Sequence, residues 1–319
     1  MNTIPSIFNE RVIPYTLTGG IEPPERVDMD VTCVVLNRGG RHLRSRVIEN
    51  LLDKGFQKII SLHTLTERGT LEGFATQYPQ VSFLVAQEEA SQGELLNLAF
   101  AEAKSSYVLV VQDELCFDGV GFTSSLASSL AARAHFCVAP ALISSSGVPL
   151  PVLVSPQASH SLFDVERSAS FTDGQKTLCA VDWTGFYNRQ TFALLGGVDY
   201  TITSVFWQKM DFFVRAWLWG ETVSLSHAMT FTYTDAAPEE DSTVDMSYLR
   251  FYLKNLAPMF KVDHARVSWL SWPAFKVHNR CSTLESIRQF KDAIRWTRQN
   301  QWRFKQDAVS LIENWGING

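Results

Sequence analysis

The sequence is short of the features that staple, anchor or strongly charge a chain. Its five cysteines among 319 residues (33, 116, 137, 179 and 281) are odd in number and widely spaced. No C-x-x-C pair and no H-E-x-x-H string occurs, so neither a disulfide scaffold nor a local zinc site has support. Cys33 and Cys137 fall inside apolar runs, where a thiol behaves as a small hydrophobe, and a reduced, cytoplasmic protein is the expectation. No uncharged apolar run approaches the roughly 20 residues that span a bilayer; 136–143 is among the longest. The first 29 residues contain no apolar stretch of signal-peptide length. Positive charge is scarce as well. Lys and Arg number 28 against 33 Asp and Glu, a formal charge of −5, so no global basic field recruits nucleic acid.

Apolar surface is plentiful. Hydrophobic residues make up 45% of the chain, and 21 Phe, 9 Trp and 8 Tyr exclude whole-chain disorder. Prolines 5, 14, 23 and 24 with Gly19 and Gly20 predict an extended, turn-rich lead-in over 1–29. From Val31 onward, short uniformly apolar runs alternate with amphipathic ones. Strands are expected at 31–36, 57–62, 81–85, 107–111 and 135–143. Helices are expected over the stretch with Leu43, Val47, Leu51 and Leu52 on one face that Gly55 stops, at 67–77, at 91–104 with a Ser91/Glu94 capping box, and at 123–134. That alternation predicts a mostly parallel sheet with helices on both faces. Residues 145–180 loosen into hairpin or loop, 181–187 reads as a further strand, and 189–195 and 205–219 read as helices. Two strands at 222–226 and 230–234 precede an acidic, mobile loop at 236–245, and helices are expected at 246–256, 283–299 and 301–315.

In an open parallel sheet ligands bind beyond the carboxyl ends of the strands. Two such ends carry polar residues: Asn37-Arg38 after the first strand and Gln112-Asp113-Glu114 after the most apolar one. Adjacent carboxylates there can hold a divalent cation that neutralises a diphosphate; a solvated acidic turn is the alternative.

The order of these features resembles the GT-A fold glycosyltransferases of the family-2 type. The resemblance covers about 30–235 and rests on several strings. These are 31–36 followed by Asn37-Arg38, then Leu95-Leu-Asn97-Leu-Ala99 leading into Tyr107 to Glu114, Gly185, and the run Arg189-Gln-Thr-Phe192-Ala-Leu-Leu195-Gly196-Gly197-Val198-Asp199. A helix with Asp211 and Arg215 follows at the family's spacing. The resemblance implies an α/β GT-A fold with a C-terminal helical extension, divided as a lead-in over 1–29, a GT-A-like domain over 30–235 and an acidic loop with helices over 236–319. It implies transfer of a sugar from a nucleotide sugar to a hydroxyl acceptor. Asn37, Arg38, Asn97, Gln112, Asp113 and Glu114 would contact the donor, Trp183, Gly185 and Arg189 the substrate, and Asp113 and Glu114 a Mg²⁺ or Mn²⁺ ion. Asp211 and Lys209 are the catalytic candidates, Asp211 as base or acceptor-orienting group and Lys209 as a point charge for a leaving diphosphate.

Departures fall on the working positions. Gln112 replaces the first carboxylate of Asp-x-Asp, Gln208-Lys209 replaces Glu-Asp, and Ser61-Leu62-His63 stands where a nucleotide-side Asp is usual. Tyr233 lines up with a late metal-holding His, with His227 nearby. A catalytically inactive pseudo-glycosyltransferase, keeping its cleft for binding or assembly, is therefore the second expectation. The tail has its own character: residues 276–305 hold eight Lys and Arg against two acids, +6 in an otherwise acidic chain. A basic amphipathic helix of this kind can lie on anionic lipid or dock on an acidic partner, or be a packed helix with a solvated face.

Overall fold

The computed structural model describes residues 11–37, 43–64, 68–117, 121–159, 162–237, 239–269, 272 and 283–316. Its packing divides the chain into two units, one of Met1–Val154, Arg167–Tyr200 and Val223–Glu239, the other of Ser155–Glu166, Thr201–Thr222 and Glu240–Gly319.

The first unit is built on the apolar runs. β2 (Met29–Leu36), β3 (Phe56–His63), β4 (Val81–Ala86) and β5 (Tyr107–Gln112) are almost wholly buried and lie parallel in the order β4-β3-β2-β5, as uninterrupted Val, Ile and Leu runs require. The crossovers carry α1 (Leu43–Leu52), α2 (Arg68–Gln77) and α3 (Gln92–Glu102), the last opened by the expected Ser91/Glu94 capping box. Beyond β5 come β10 (Gly185–Asn188), β7 (Cys137–Ile143), β11 (Val223–Tyr233) and β6 (Leu115–Phe117). β10 is antiparallel to both neighbours and β11 is parallel to β7. Six of the nine strands thus point one way, and the mostly parallel sheet flanked by helices is borne out.

The departures have local causes. Tyr15–Gly19, expected as part of a lead-in without regular elements, forms edge strand β1, antiparallel to β4. Its Tyr-Thr-Leu-Thr segment suits a pleat, and Tyr15 donates its hydroxyl to Glu102 at 2.5 Å. The expected strand 181–187 starts instead as a 3₁₀ turn, Val181–Trp183, and only Gly185–Asn188 pairs. The two expected strands around Ser226 and Thr230 are one strand, β11, with a register shift between those residues. α4 (Ser124–Ala132) and α5 (Arg189–Leu194) form as expected, and 145–180 contains the hairpin β8 (Leu153–Ser159) and β9 (Leu162–Ser168). The described cysteines 33, 116, 137 and 179 are free thiols; burial pushes those of Cys33 and Cys137 well up.

The second unit centres on α6 (Val205–Leu218), which is buried on every side apart from its first residue. Trp207, Trp217 and Trp219 are core residues: Trp207 packs on Tyr248 and Phe251, Trp217 on Trp315, and Trp219 on Trp296 and Phe304. α7 (Met246–Phe251) runs into a π-helical turn, Tyr252–Leu256. A small hairpin follows, β12 (Met259–Lys261) with β13 (His264–Arg266), and then helices Thr283–Asn300 and Ala308–Glu313. The helix expected at 301–315 is shorter because a turn intervenes and Asp307 caps a fresh start, its carboxylate accepting from Ser310 N at 2.9 Å. The acidic loop, expected to be mobile, is anchored from Glu240 on: Thr243 O accepts from Trp207 Nε1 at 2.8 Å and Asp245 caps α7.

One side chain locks the turn after α5. Asn97 on α3 donates Nδ2 to Val198 O at 2.9 Å and accepts from Val198 N at 2.8 Å. Gly197 sits at φ +71°, and a Cβ there would lie 2.6 Å from Asn97 Oδ1. Asn97→Ala removes both bonds and leaves a buried carbonyl and N–H unpaired, so it should cost about 2–3 kcal/mol. Urea denaturation of the two proteins measures this through the shift in midpoint at unchanged slope.

Candidate functional site

β2 and β5 are in register with Leu36 opposite Gln112, so Asn37 and Asp113 leave the sheet side by side; Asp113 N donates to Leu36 O at 2.9 Å. On the other flank of β2, Asn37 Nδ2 donates to Ser61 Oγ at 3.0 Å and Leu62 O at 2.5 Å, and lies 3.3 Å from His63 Nε2. Ser61 Oγ is 2.9 Å from the same ring nitrogen, an arrangement satisfied when Nε2 is unprotonated and accepts from the hydroxyl. Two amide oxygens at these adjacent strand ends, Asn37 Oδ1 and Gln112 Oε1, are buried with no hydrogen-bond partner. Orphaned buried acceptors are scarce in folded proteins and call for an explanation.

Sequence reasoning missed Asp182. It and Trp183 adopt consecutive left-handed conformations, φ +57° and +59°, although neither is glycine. Each such residue is unusual and costs on the order of 1 kcal/mol or more. The surroundings hold the turn. Gln112 Nε2 donates to Asp182 O at 2.7 Å, Tyr233 OH to Asp182 Oδ2 at 2.7 Å, and Tyr187 OH to Trp183 O at 2.8 Å. Burial keeps the Tyr187 phenol well above its ordinary value, so it remains a donor. Thr234 at the end of β11 donates N and Oγ1 to Glu114 O, at 2.8 and 3.0 Å. The ends of β5 and β11 and the 182–183 turn therefore form one polar constellation: Gln112, Asp113, Glu114, Asp182 and Tyr233. No sequence signal marks Asp182 except its place in Asp-Trp-Thr-Gly just before β10.

Other candidates are committed to packing. Asn97 clamps Val198, and Arg189 donates Nε to Phe100 O at 2.9 Å. Gly185 is where β10 crosses β7 closely; a Cβ would meet Cys137 Sγ at 2.9 Å. Trp183 is buried. Arg38 lies outside the described residues.

The constellation does not suit a divalent cation. Gln112 is a neutral amide whose nitrogen faces Asp182, and Tyr233 spends its hydroxyl on the same residue. His227 is exposed at the β11 irregularity, stacked on Phe171 at 3.9 Å with Nε2 3.1 Å from the Phe171 carbonyl. Among the described residues no group of three or more His, Cys, Asp or Glu could hold a metal ion. Asp113 and Glu114 do not by themselves make the metal site that the resemblance implied.

In the second unit Asp211 is fully buried, and both its oxygens are engaged. Oδ2 takes the Arg215 guanidinium one turn on; Oδ1 accepts from Asn255 Nδ2 at 2.7 Å and lies 2.8 Å from Lys254 Nζ. Lys254 and Asn255 arrive together from the π-helical turn, and Lys254 also rests 5.4 Å from the Trp296 ring centroid. Lys209 is buried too, with its ammonium on Glu240 and 5.8 Å from the Phe206 centroid.

Two substitutions test these readings. Asp211→Ala strands two buried cations and should cost about 3–5 kcal/mol, visible as a large loss in denaturation midpoint. Gln112→Glu is nearly isosteric yet removes the donor that holds the Asp182 carbonyl and places an acceptor against it. It should destabilise by about 1–3 kcal/mol without creating Mn²⁺ affinity, measured by denaturation and by the electron paramagnetic resonance signal of free Mn²⁺.

No protein-family model and no curated protein matches the sequence. Solved structures do match the fold. GalNAc-T7, crystallised with UDP, GalNAc and Mn²⁺, is 9% identical, with a TM-score of 0.62 over 90% of this chain and 57% of that one. The chain thus spans little more than half the length of that protein. Residues 1–349 of TarS from S. aureus, in complex with UDP, match at 12% identity over 83% of this chain and 70% of that one, TM-score 0.46. The mannosyltransferase PcManGT from Pyrobaculum calidifontis, with GDP-Man and Mn²⁺, matches at 10% identity over 89% and 72%, TM-score 0.45. The chain has the fold of the GT-A glycosyltransferases.

Proposed function

We propose that this chain binds a nucleotide sugar at the carboxyl ends of β2, β3 and β5, without a divalent cation, for transfer to a hydroxyl acceptor. The observation that carries the reading is the pair of unspent buried acceptors, Asn37 Oδ1 and Gln112 Oε1, on neighbouring strand ends. With the carboxylates of Asp113, Glu114 and Asp182 they form a surface rich in acceptors, which suits a ligand rich in hydroxyl and N–H donors such as a nucleoside and its sugar. Arg38, which directly follows Asn37, is the candidate cation for the diphosphate, because a guanidinium matches phosphate oxygens in a fork. The amide at 112 and the tied phenol at 233 support binding without metal.

A second reading, binding without turnover, is favoured by Asp211. The one carboxylate retained from the family's catalytic helix has both oxygens occupied by Arg215, Lys254 and Asn255 in a buried position. A general base has to reach the proton that it removes.

The test is a thermal-shift panel of UDP-, GDP-, CMP- and dTDP-sugars on the full chain, each with Mn²⁺ and with EDTA. A ligand at a hundred times its Kd stabilises by about 2.7 kcal/mol. One nucleotide class should raise Tm equally in both conditions, and Arg38→Ala should abolish the rise. A shift seen only with Mn²⁺ removes the metal-free part, and no shift with any nucleotide removes the proposal. Release of free nucleoside diphosphate on adding acceptor mixtures separates transfer from binding alone.

A further inference from the structure

The helix Thr283–Asn300 is amphipathic in an unusual division of labour. Ser286, Phe290, Ala293, Trp296, Thr297 and Asn300 are buried, with Phe290 and Ala293 joining Leu253 in an apolar cluster. Arg288, Lys291, Arg295 and Arg298 are all exposed, at intervals of three, four and three residues. At 3.6 residues per turn these four fall within an arc of about 80°, directly opposite the buried face, in a line about 15 Å long. Among the described residues Asp292 pairs with the stripe, 3.5 Å from Arg295 on a pair that is itself solvated. Beyond the helix, Arg303 and Lys305 are exposed as well. Trp302, which falls between them and the stripe in sequence, lies 5.2 Å from the His264 ring and leaves 61% of its surface in solvent, an uncommon position for an indole.

We infer that this stripe, with Trp302 at its end, is a docking surface for an anionic lipid bilayer. Evenly spaced point charges along a straight convex line match a planar field of negative headgroups better than a pocket or a bidentate partner. Each basic residue near such a surface contributes about 1 kcal/mol, close to a fivefold gain in partitioning. Indole rings settle at the headgroup level. The apolar face of the helix is already spent on the protein's core, so the helix lies on the bilayer and does not insert. Attachment is therefore electrostatic, reversible and sensitive to salt. Among the described residues no helix is long and apolar enough to cross a membrane. This inference does not depend on the nucleotide-sugar reading.

The experiment is flotation of the full chain with phosphatidylcholine vesicles and with vesicles containing 30% phosphatidylglycerol. At low salt the chain should float with the anionic vesicles only, be released as ionic strength rises, and show a blue shift of Trp emission that Trp302→Ser removes. Neutralising one charge, as in Lys291→Gln, should weaken partitioning about fivefold. The fourfold variant Arg288→Gln, Lys291→Gln, Arg295→Gln and Arg298→Gln should abolish it. All four side chains point away from the core, so an unchanged melting curve certifies that the variant is folded; were it to melt early, the single variants carry the test. Equal flotation with neutral vesicles, or anionic binding that survives the fourfold change, overturns the inference. So does retention on immobilised DNA without vesicle binding, which would assign the stripe to another polyanion.

Discussion

A carboxylate set among Phe, Trp and Leu needs partners buried with it, and the second unit supplies cations for that purpose. Asp211 draws in Arg215 from its own helix and Lys254 from the π-helical turn, and Asn255 satisfies what remains. The π-turn carries both partners: from it two consecutive side chains, Lys254 and Asn255, reach Asp211. Trp296 then lies over the Lys254 ammonium and joins helix Thr283–Asn300 to the cluster. The basic stripe on that helix is presented outward because its other face packs inward, Phe290 and Ala293 against Leu253 and Trp296 over Lys254.

The same physics separates what a residue type permits from what its position permits. By sequence, Asp211 is the surviving acid of a catalytic helix and Lys209 an available ammonium. By structure, each is enclosed and paired, one by three partners and the other by Glu240. Residue type alone therefore does not assign a role, because burial and partners decide which atoms a side chain has to offer. The i,i+4 relation of Asp211 to Arg215 already contained the structural alternative.

The sheet was legible because uniform apolar runs of five to eight residues leave little choice, and the capping box at Ser91 marked α3 without ambiguity. The polar strand ends at Asn37 and Gln112–Glu114 were legible for the same reason: they are where those runs stop. Other features depended on partners distant in sequence. β1 exists because β4 offers an open edge, and β11 is one strand because β7 pairs on both sides of its irregularity. Asp182 was invisible because nothing local distinguishes it; its turn is held by Gln112 and Tyr233, 70 and 51 residues away, and by Tyr187, which bonds the Trp183 carbonyl four residues back. The aromatic residues near 205–219 were readable as core, and the structure places them there.

Gln112 ties these threads together. A carboxylate at that position would serve a metal, but it could not donate to the Asp182 carbonyl, and the left-handed turn would lose one of its restraints. The amide is therefore fitted to the turn and is more than a missing ligand. Tyr233 belongs to the same solution, since its hydroxyl satisfies the Asp182 carboxylate that the turn brings in. An amide and a phenol that hold the Asp182 turn make the strand-end site a fixed array of donors and acceptors, charged at its carboxylates and neutral at Gln112 and Tyr233. Such an array is preorganised before any ligand arrives, because its orientation is held by the fold. Gln112 Oε1 stays without a hydrogen-bond partner in this arrangement, and it is the acceptor on which the proposed donor site draws.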